Sequence, residues 1–231
     1  MFRIRTSLLA VATVALILTA GAVQAQDEDQ SVEDGGIKVS GWMGMLDPGA
    51  EGQIEDSRLA MEGEALHVAT GPQVSYWESE GTASGNYTVS ATFTEPAYMN
   101  RNDHPHPYGL FIGGNDMGTE NASFLYCAAY GTGSFIVRGF GPESFQMNGR
   151  RAEAHDAVNE AAGQGEPVSQ EIALSVNGDQ VECSINGTVV ASYAKSEVVG
   201  EGKLKSTDGV YGIRFGHNTE GIVEGLALAQ E

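Results

Sequence analysis

Glu171-Ile-Ala-Leu-Ser-Val-Asn-Gly-Asp-Gln-Val-Glu-Cys-Ser-Ile-Asn-Gly-Thr-Val-Val-Ala-Ser-Tyr193 alternates apolar and polar residues in three short runs. It breaks twice, at Asn177-Gly178-Asp179 and at Asn186-Gly187. A period of two places alternate side chains on opposite faces of a strand, and Asn-Gly supplies the positive φ angles that two-residue hairpin turns require. The stretch therefore predicts three antiparallel strands, Ile172–Val176, Val181–Ile185 and Val189–Tyr193.

The same pattern extends in both directions. Upstream, Tyr87–Thr94 puts Val89, Ala91 and Phe93 on one face and Thr88, Ser90, Thr92 and Thr94 on the other, and Leu66 and Val68 alternate with His67 and Ala69. Tyr108–Ile112, Phe124–Tyr130 and Phe135–Phe140 read as further strands, the last two joined through Gly131-Thr132-Gly133. Downstream, Val210–Phe215 and Ile222–Leu228 complete the set. Only Arg151–Ala162 has helical composition, and its place in a long acidic connection predicts a short surface helix or a loop. Ten or more short strands with glycine-rich turns give an all-β chain, an antiparallel two-sheet β-sandwich or a barrel.

Composition agrees with one large core. The 231 residues are 41% apolar and 19% charged, with 31 glycines and two cysteines, which excludes disordered, collagen-like and disulfide-scaffold classes. A formal charge of −19 argues against nucleic acid and anionic membranes as partners, since neutralising phosphates needs clustered Lys and Arg. Arg3 and Arg5 precede an apolar run from Leu8 to Val23 that closes on Val23-Gln24-Ala25. That reads as a signal peptide, residues 1–25, cleaved after Ala25, so the mature chain is expected to be secreted or periplasmic with no membrane attachment. Residues 26–36 (QDEDQSVEDGG) are acid-rich and are expected to form a flexible leader, and 37–230 the single β-sandwich domain.

Glu171–Tyr193, followed by Gly209-Val-Tyr-Gly-Ile-Arg-Phe-Gly-His-Asn218, resembles the C-terminal half of concanavalin A-like jelly-roll domains. Gly109-Leu-Phe-Ile-Gly-Gly-Asn-Asp116 and Phe124–Phe140 resemble their central strands. The nearest relatives by this resemblance are the laminin-G-like domains and the 3-keto-disaccharide hydrolase domain family. It implies a jelly roll that binds carbohydrate, hydrolyses an oxidised glycoside, or serves adhesion. The Glu-x-Asp-x-x-Glu pattern of laminarinase-like glycosidases is absent from the sequence.

Arg138 sets the parity of its strand, because arginine does not point into a sandwich core: Phe135 and Val137 face inward, Ile136, Arg138 and Phe140 outward. The neighbouring strand then buries Leu125, Cys127 and Ala129 and turns Phe124, Tyr126 and Tyr130 outward. Aromatic rings beside a guanidinium suit a sugar, whose C–H patches stack on rings while its hydroxyls accept from arginine. Phe124, Tyr126, Tyr130, Arg138 and Phe140 are thus ligand-binding candidates; the rival reading is that Gly141–Gly165 folds over this face. Trp77 is weighed between ligand platform and core.

Asn100-Arg-Asn-Asp-His-Pro-His-Pro-Tyr108 is the densest polar site. His104 and His106, two apart in a proline-locked stretch with Asp103 beside them, could ligate Zn or contact sugar. His217 is a lesser candidate. Asn115 and Asp116 offer oxygen ligands of the kind Ca²⁺ takes. Asp103, His104 and Asp116 are the acid/base candidates should the chain be catalytic, although no spacing among its acids selects a glycosidase pair. Cys127 and Cys183, both on core faces, form either one disulfide or two buried thiols. The expectation from these residues is an exported, non-catalytic carbohydrate-binding domain, with glycoside hydrolysis or adhesion as alternatives.

Overall fold

The computed structural model describes residues 28–230. The signal-peptide reading falls on residues outside these. The chain forms β1 (Gly36–Ile37), β2 (Trp42–Leu46), β3 (Arg58–Glu62), β4 (Ala65–Ala69), β5 (Val74–Glu78) and β6 (Thr82–Ala83). The long central strands follow, β7 (Tyr87–Glu95), β8 (Tyr108–Asn115), β9 (Ser123–Tyr130) and β10 (Ser134–Phe140), then the short β11 (Phe145–Gln146) and β12 (Glu153–Ala154). The last five are β13 (Val168–Asn177), β14 (Gln180–Ile185), β15 (Thr188–Ala194), β16 (Gly209–Phe215) and β17 (Glu220–Gln230).

Two sheets face each other, ordered β1-β3-β4-β17-β7-β13-β14-β15 and β11-β10-β9-β8-β16-β5-β2, with β12 on β10 and β6 on β16. Among the described residues all pairings between these strands are antiparallel except β1 with β3. This is a β-sandwich, as the alternation predicts, and its crossovers between distant strands are those of a jelly roll.

The decisive stretch folds as read. In the β14–β15 turn both Asn186 (φ 50) and Gly187 (φ 78) are left-handed, the requirement of a type I′ hairpin. Val89, Ala91 and Phe93 of β7 are buried against Ile172, Leu174 and Val176 of β13 within one core cluster. Cys127 on β9 and Cys183 on β14 form a disulfide with Cα atoms 6.2 Å apart, which ties one sheet to the other through the core.

Three readings are resolved. Of the helix or loop expected over Arg151–Ala162 the chain takes the loop: Glu153–Ala154 adds an edge strand to β10, and the following loop is pinned by Gln170, whose amide exchanges hydrogen bonds with both backbone groups of Asn159 (2.8 and 2.9 Å). The Gly141–Gly165 segment widens the second sheet through β11 and β12 at its edge. The acidic leader is docked from residue 28 on. Asn218 accepts from the Gln30 N–H (2.8 Å) and donates to the Glu28 carbonyl (3.0 Å), while Asp29 pairs with His217. Backbone recognition by one asparagine offsets the ordering cost that composition alone suggests is unmet.

Candidate functional site

The outer face of the second sheet has two parts. Around Trp77, Phe111, Phe124, Tyr126, Ala128 and Ile136 lies a second apolar cluster. Phe124 and Trp77 are 0% and 3% exposed and, unlike Tyr126, line no part of the groove that opens beyond this cluster, which corrects the reading of Phe124 as a binding residue and places Trp77 in its core alternative. Parity is as expected; exposure is not. The rings shield one another, with Phe124 5.2 Å from Phe111 and 5.1 Å from Phe140 between centroids, and Met45 and Met117 pack against them. Tyr130 is half-buried at the edge of this cluster.

Beyond the cluster the face opens into a groove of about 1130 Å³, walled by the 47–52 loop and residues 28–31 and lined by Tyr126, Arg138, Phe140, Arg214, His104 and His217. Its floor is an ion pair. Ile213 and Phe215 of β16 point into the core, so Arg214 between them points out. Its Nε donates to both carboxylate oxygens of Asp47 (3.2 and 3.1 Å), and Nη2 donates to Oδ2 as well. The Asp47 backbone N–H is held by the Gln73 carbonyl at 3.0 Å. Arg214 is 5% exposed and Asp47 7%. Burial opposes the guanidinium charge, but the Asp47 carboxylate outweighs it and keeps Arg214 protonated. The guanidinium carbon also stands 4.2 Å from the Tyr126 ring centroid, and Nη1 is buried without a hydrogen-bond partner among the described residues.

At one end of the groove three histidines converge, through strand register. β8 begins where β16 ends: Tyr108 pairs with Phe215, and the Gly216 N–H continues the ladder to the Pro107 carbonyl at 2.7 Å. One residue further out, His106 and His217 meet edge to face, with centroids 3.9 Å apart. A side chain at position 216 would put its Cβ 3.0 Å from that of His106, so glycine there allows the approach. The Asn100–Pro107 loop, tied down by the Asn100 amide to Glu220 (3.0 Å), brings His104 to 4.4 Å from His106.

One ligand atom from each of His104, His106 and His217 lies within 4.8 Å of the others, a cluster that could hold a metal ion. His104 Nδ1 is 2.7 Å from Asp103, and His217 Nδ1 is 2.9 Å from Asp29. His106 Nε2 is buried with no hydrogen-bond partner among the described residues. Burial, then the neighbouring His217 and His104, pushes His106 down to about 3, leaving its imidazole neutral.

The structure thus joins His104 and His106 to His217 and to groove residues Tyr126, Arg138 and Phe140. Asp103 stands behind His104 as its hydrogen-bond partner. Asn115 and Asp116 lie elsewhere and are engaged: the Asn115 amide donates to the Gly113 and Asp208 carbonyls (2.9 and 3.0 Å), and Asp116 pairs with Lys205. Neither lines the groove, so both stand apart from the histidine cluster. Asp47 and Arg214 escaped the sequence reading, because 167 residues separate them and it takes the pairing of β2 with β5 and of β5 with β16 to bring them together.

No protein-family model matches the chain, and no curated protein matches it in sequence. Solved structures do match in fold. The chain is similar to the carbohydrate-binding module CBM66 from Bacillus subtilis, at 8% identity and a TM-score of 0.53, covering 85% of this chain and 99% of that one. It is also similar to a Bacillus subtilis protein of unknown function with a galectin-like fold, at 13% identity and a TM-score of 0.55, covering 82% and 89%. The chain shares with them a galectin-like, concanavalin A-like β-sandwich.

Proposed function

We propose that the chain is an exported carbohydrate-binding domain that takes a glycan into the groove over Tyr126, Phe140 and Arg214 and releases it unchanged. The observation behind this reading is the buried Asp47–Arg214 pair stacked on Tyr126 at the groove floor. It is a floor of charge and ring: above it the half-buried Arg138 guanidinium can meet saccharide hydroxyls, and C–H faces can meet Phe140. The deepest carboxylate, Asp47, is committed to Arg214, which suits holding a sugar better than moving its protons. The fold shared with a carbohydrate-binding module supports the same reading. An apolar run at the start of the sequence, ending on small residues, supports export.

A second reading is metal-assisted hydrolysis of a glycoside, with a 3-keto-disaccharide as the substrate that the sequence resemblance implies; the histidine cluster opening on the same groove favours the metal-assisted step, since a bound metal could polarise a substrate oxygen there.

The deciding experiment titrates residues 26–231 with an oligosaccharide panel by calorimetry and analyses each mixture for products. Saturable binding without turnover is expected, weakened about tenfold or more by Phe140→Ala and by Arg138→Ala, each removing roughly one stacked ring or charged donor. Product formation would replace binding with hydrolysis. Binding unaffected by either substitution, or no binding across the panel, would remove the groove from consideration.

A further inference from the structure

We propose that His104, His106 and His217 form a binding site for one divalent transition-metal ion, Zn²⁺ by ligand chemistry, with a coordination position facing the groove.

Four observations converge on it. First, the three ligand atoms already lie within 4.8 Å of one another, and three nitrogens on one tetrahedral Zn²⁺ stand about 3.3 Å apart, so small ring rotations complete the site. Second, two of the imidazoles have carboxylates behind them, Asp103 on His104 Nδ1 and Asp29 on His217 Nδ1. A carboxylate at Nδ1 fixes the tautomer, assigns ligation to Nε2 and raises its basicity, the usual outer sphere of a zinc-bound histidine. Third, His106 Nε2 is a buried polar atom with no hydrogen-bond partner among the described residues, and an ion would satisfy it. Fourth, the ligands sit on stiff backbone: Pro105 and Pro107 bracket His106, and the Gly216–Pro107 hydrogen bond clamps the two ligand-bearing segments together.

Imidazole nitrogens select Zn²⁺, Co²⁺ or Ni²⁺ over the hard cations Ca²⁺ and Mg²⁺, which take oxygen. Three protein ligands leave a fourth position for water or an exogenous oxygen, and His104 and His217 line the groove, so that position opens where a saccharide would lie. Asp29 lies in the acidic leader, which gives that segment a role as the strap that orients the third ligand.

The test needs no sugar and so stands apart from the glycan reading. Chelator-stripped protein comprising residues 26–231 is titrated with Zn²⁺ by calorimetry and with Co²⁺ by visible absorption. The expected result is one ion per chain, with the ligand-field bands of four- or five-coordinate Co²⁺, and no competition from excess Ca²⁺. His104→Ala and His217→Ala should each weaken binding by about tenfold or more, and Asp29→Asn by about 10–100-fold with the protein still folded. His104 is half-exposed, so its variant keeps the fold even if His106→Ala does not. No saturable binding, or binding that His104→Ala and His217→Ala leave intact, would overturn the site.

Discussion

Asp47 and Arg214, 167 residues apart in sequence, form a buried pair in which one guanidinium nitrogen, Nε, donates to both carboxylate oxygens at 3.1 and 3.2 Å. Each charge is tolerated in the interior because of the other. Asp47→Ala leaves a guanidinium stranded beneath Tyr126, and the expected cost is about 3–5 kcal/mol of folding stability. Urea denaturation measures it. Replacing both residues together, by leucine at 47 and methionine at 214, should cost clearly less than Asp47→Ala alone, since no uncompensated charge remains. Equal losses would mean that the pair contributes no mutual compensation.

The Cys127–Cys183 bridge joins β9 of one sheet to β14 of the other across a separation of 56 residues. Closing a loop of that length restricts the unfolded chain and is worth about 4 kcal/mol in the chain-entropy model. Both cysteines are at most 1% exposed. Thiol reagents should therefore find no reactive sulfur in the native protein. Reduction after unfolding, followed by refolding under reducing conditions, should lower the urea midpoint by the equivalent of roughly 4 kcal/mol. An unchanged midpoint would mean that the bridge adds nothing to stability.

Local pattern made the strands and their inward faces legible. Arg138 alone sets the parity that buries Phe135 and Val137 on one strand and Leu125, Cys127 and Ala129 on its neighbour. Exposure of the opposite face was not legible, because it depends on rings from β8, β9 and β10 packing on one another and no single strand shows that. The histidine site was legible in part: His-Pro-His gave two members, while the third follows from β8 lying beside β16, strands a hundred residues apart. The docking of the leader was equally hidden, since it depends on Asn218 and His217 far along the chain.

Asn186 combines two tasks that a sequence reading assigns to the turn alone. Besides its left-handed φ of 50°, its side chain accepts from the Glu171 N–H (2.8 Å) and donates to the Ala157 carbonyl (2.7 Å) and the Gln170 side chain (2.8 Å). Asn186→Ala loses both the conformation and the bonds, for an expected loss of about 2–3 kcal/mol, whereas Asn186→Gly keeps the conformation and should cost about 1 kcal/mol less. Thermal or urea unfolding separates the variants. Glycine as damaging as alanine would place the whole effect in the hydrogen bonds.

Glu95, at the end of β7, gives the fold a pH dependence of defined sign. One carboxylate oxygen accepts from the Met99 N–H at 3.0 Å; the other is buried without a hydrogen-bond partner among the described residues. Burial pushes the group up to about 7, and the Met99 bond opposes this only in part. The titratable groups facing it, Tyr98 and Tyr108, are phenols raised further by burial and stay protonated throughout. Below the unfolded value of about 4.5 both states are protonated and this contribution to stability is complete. As pH rises toward 7 the unfolded chain ionises while the folded one keeps its proton, so stability falls by about 3 kcal/mol in total. Glu95→Gln cannot ionise. The variant should match the parent near pH 4.5 and exceed it by roughly 2–3 kcal/mol at pH 8 in urea denaturation. Parallel profiles for the two proteins across that window would show that the Glu95 proton is not linked to folding.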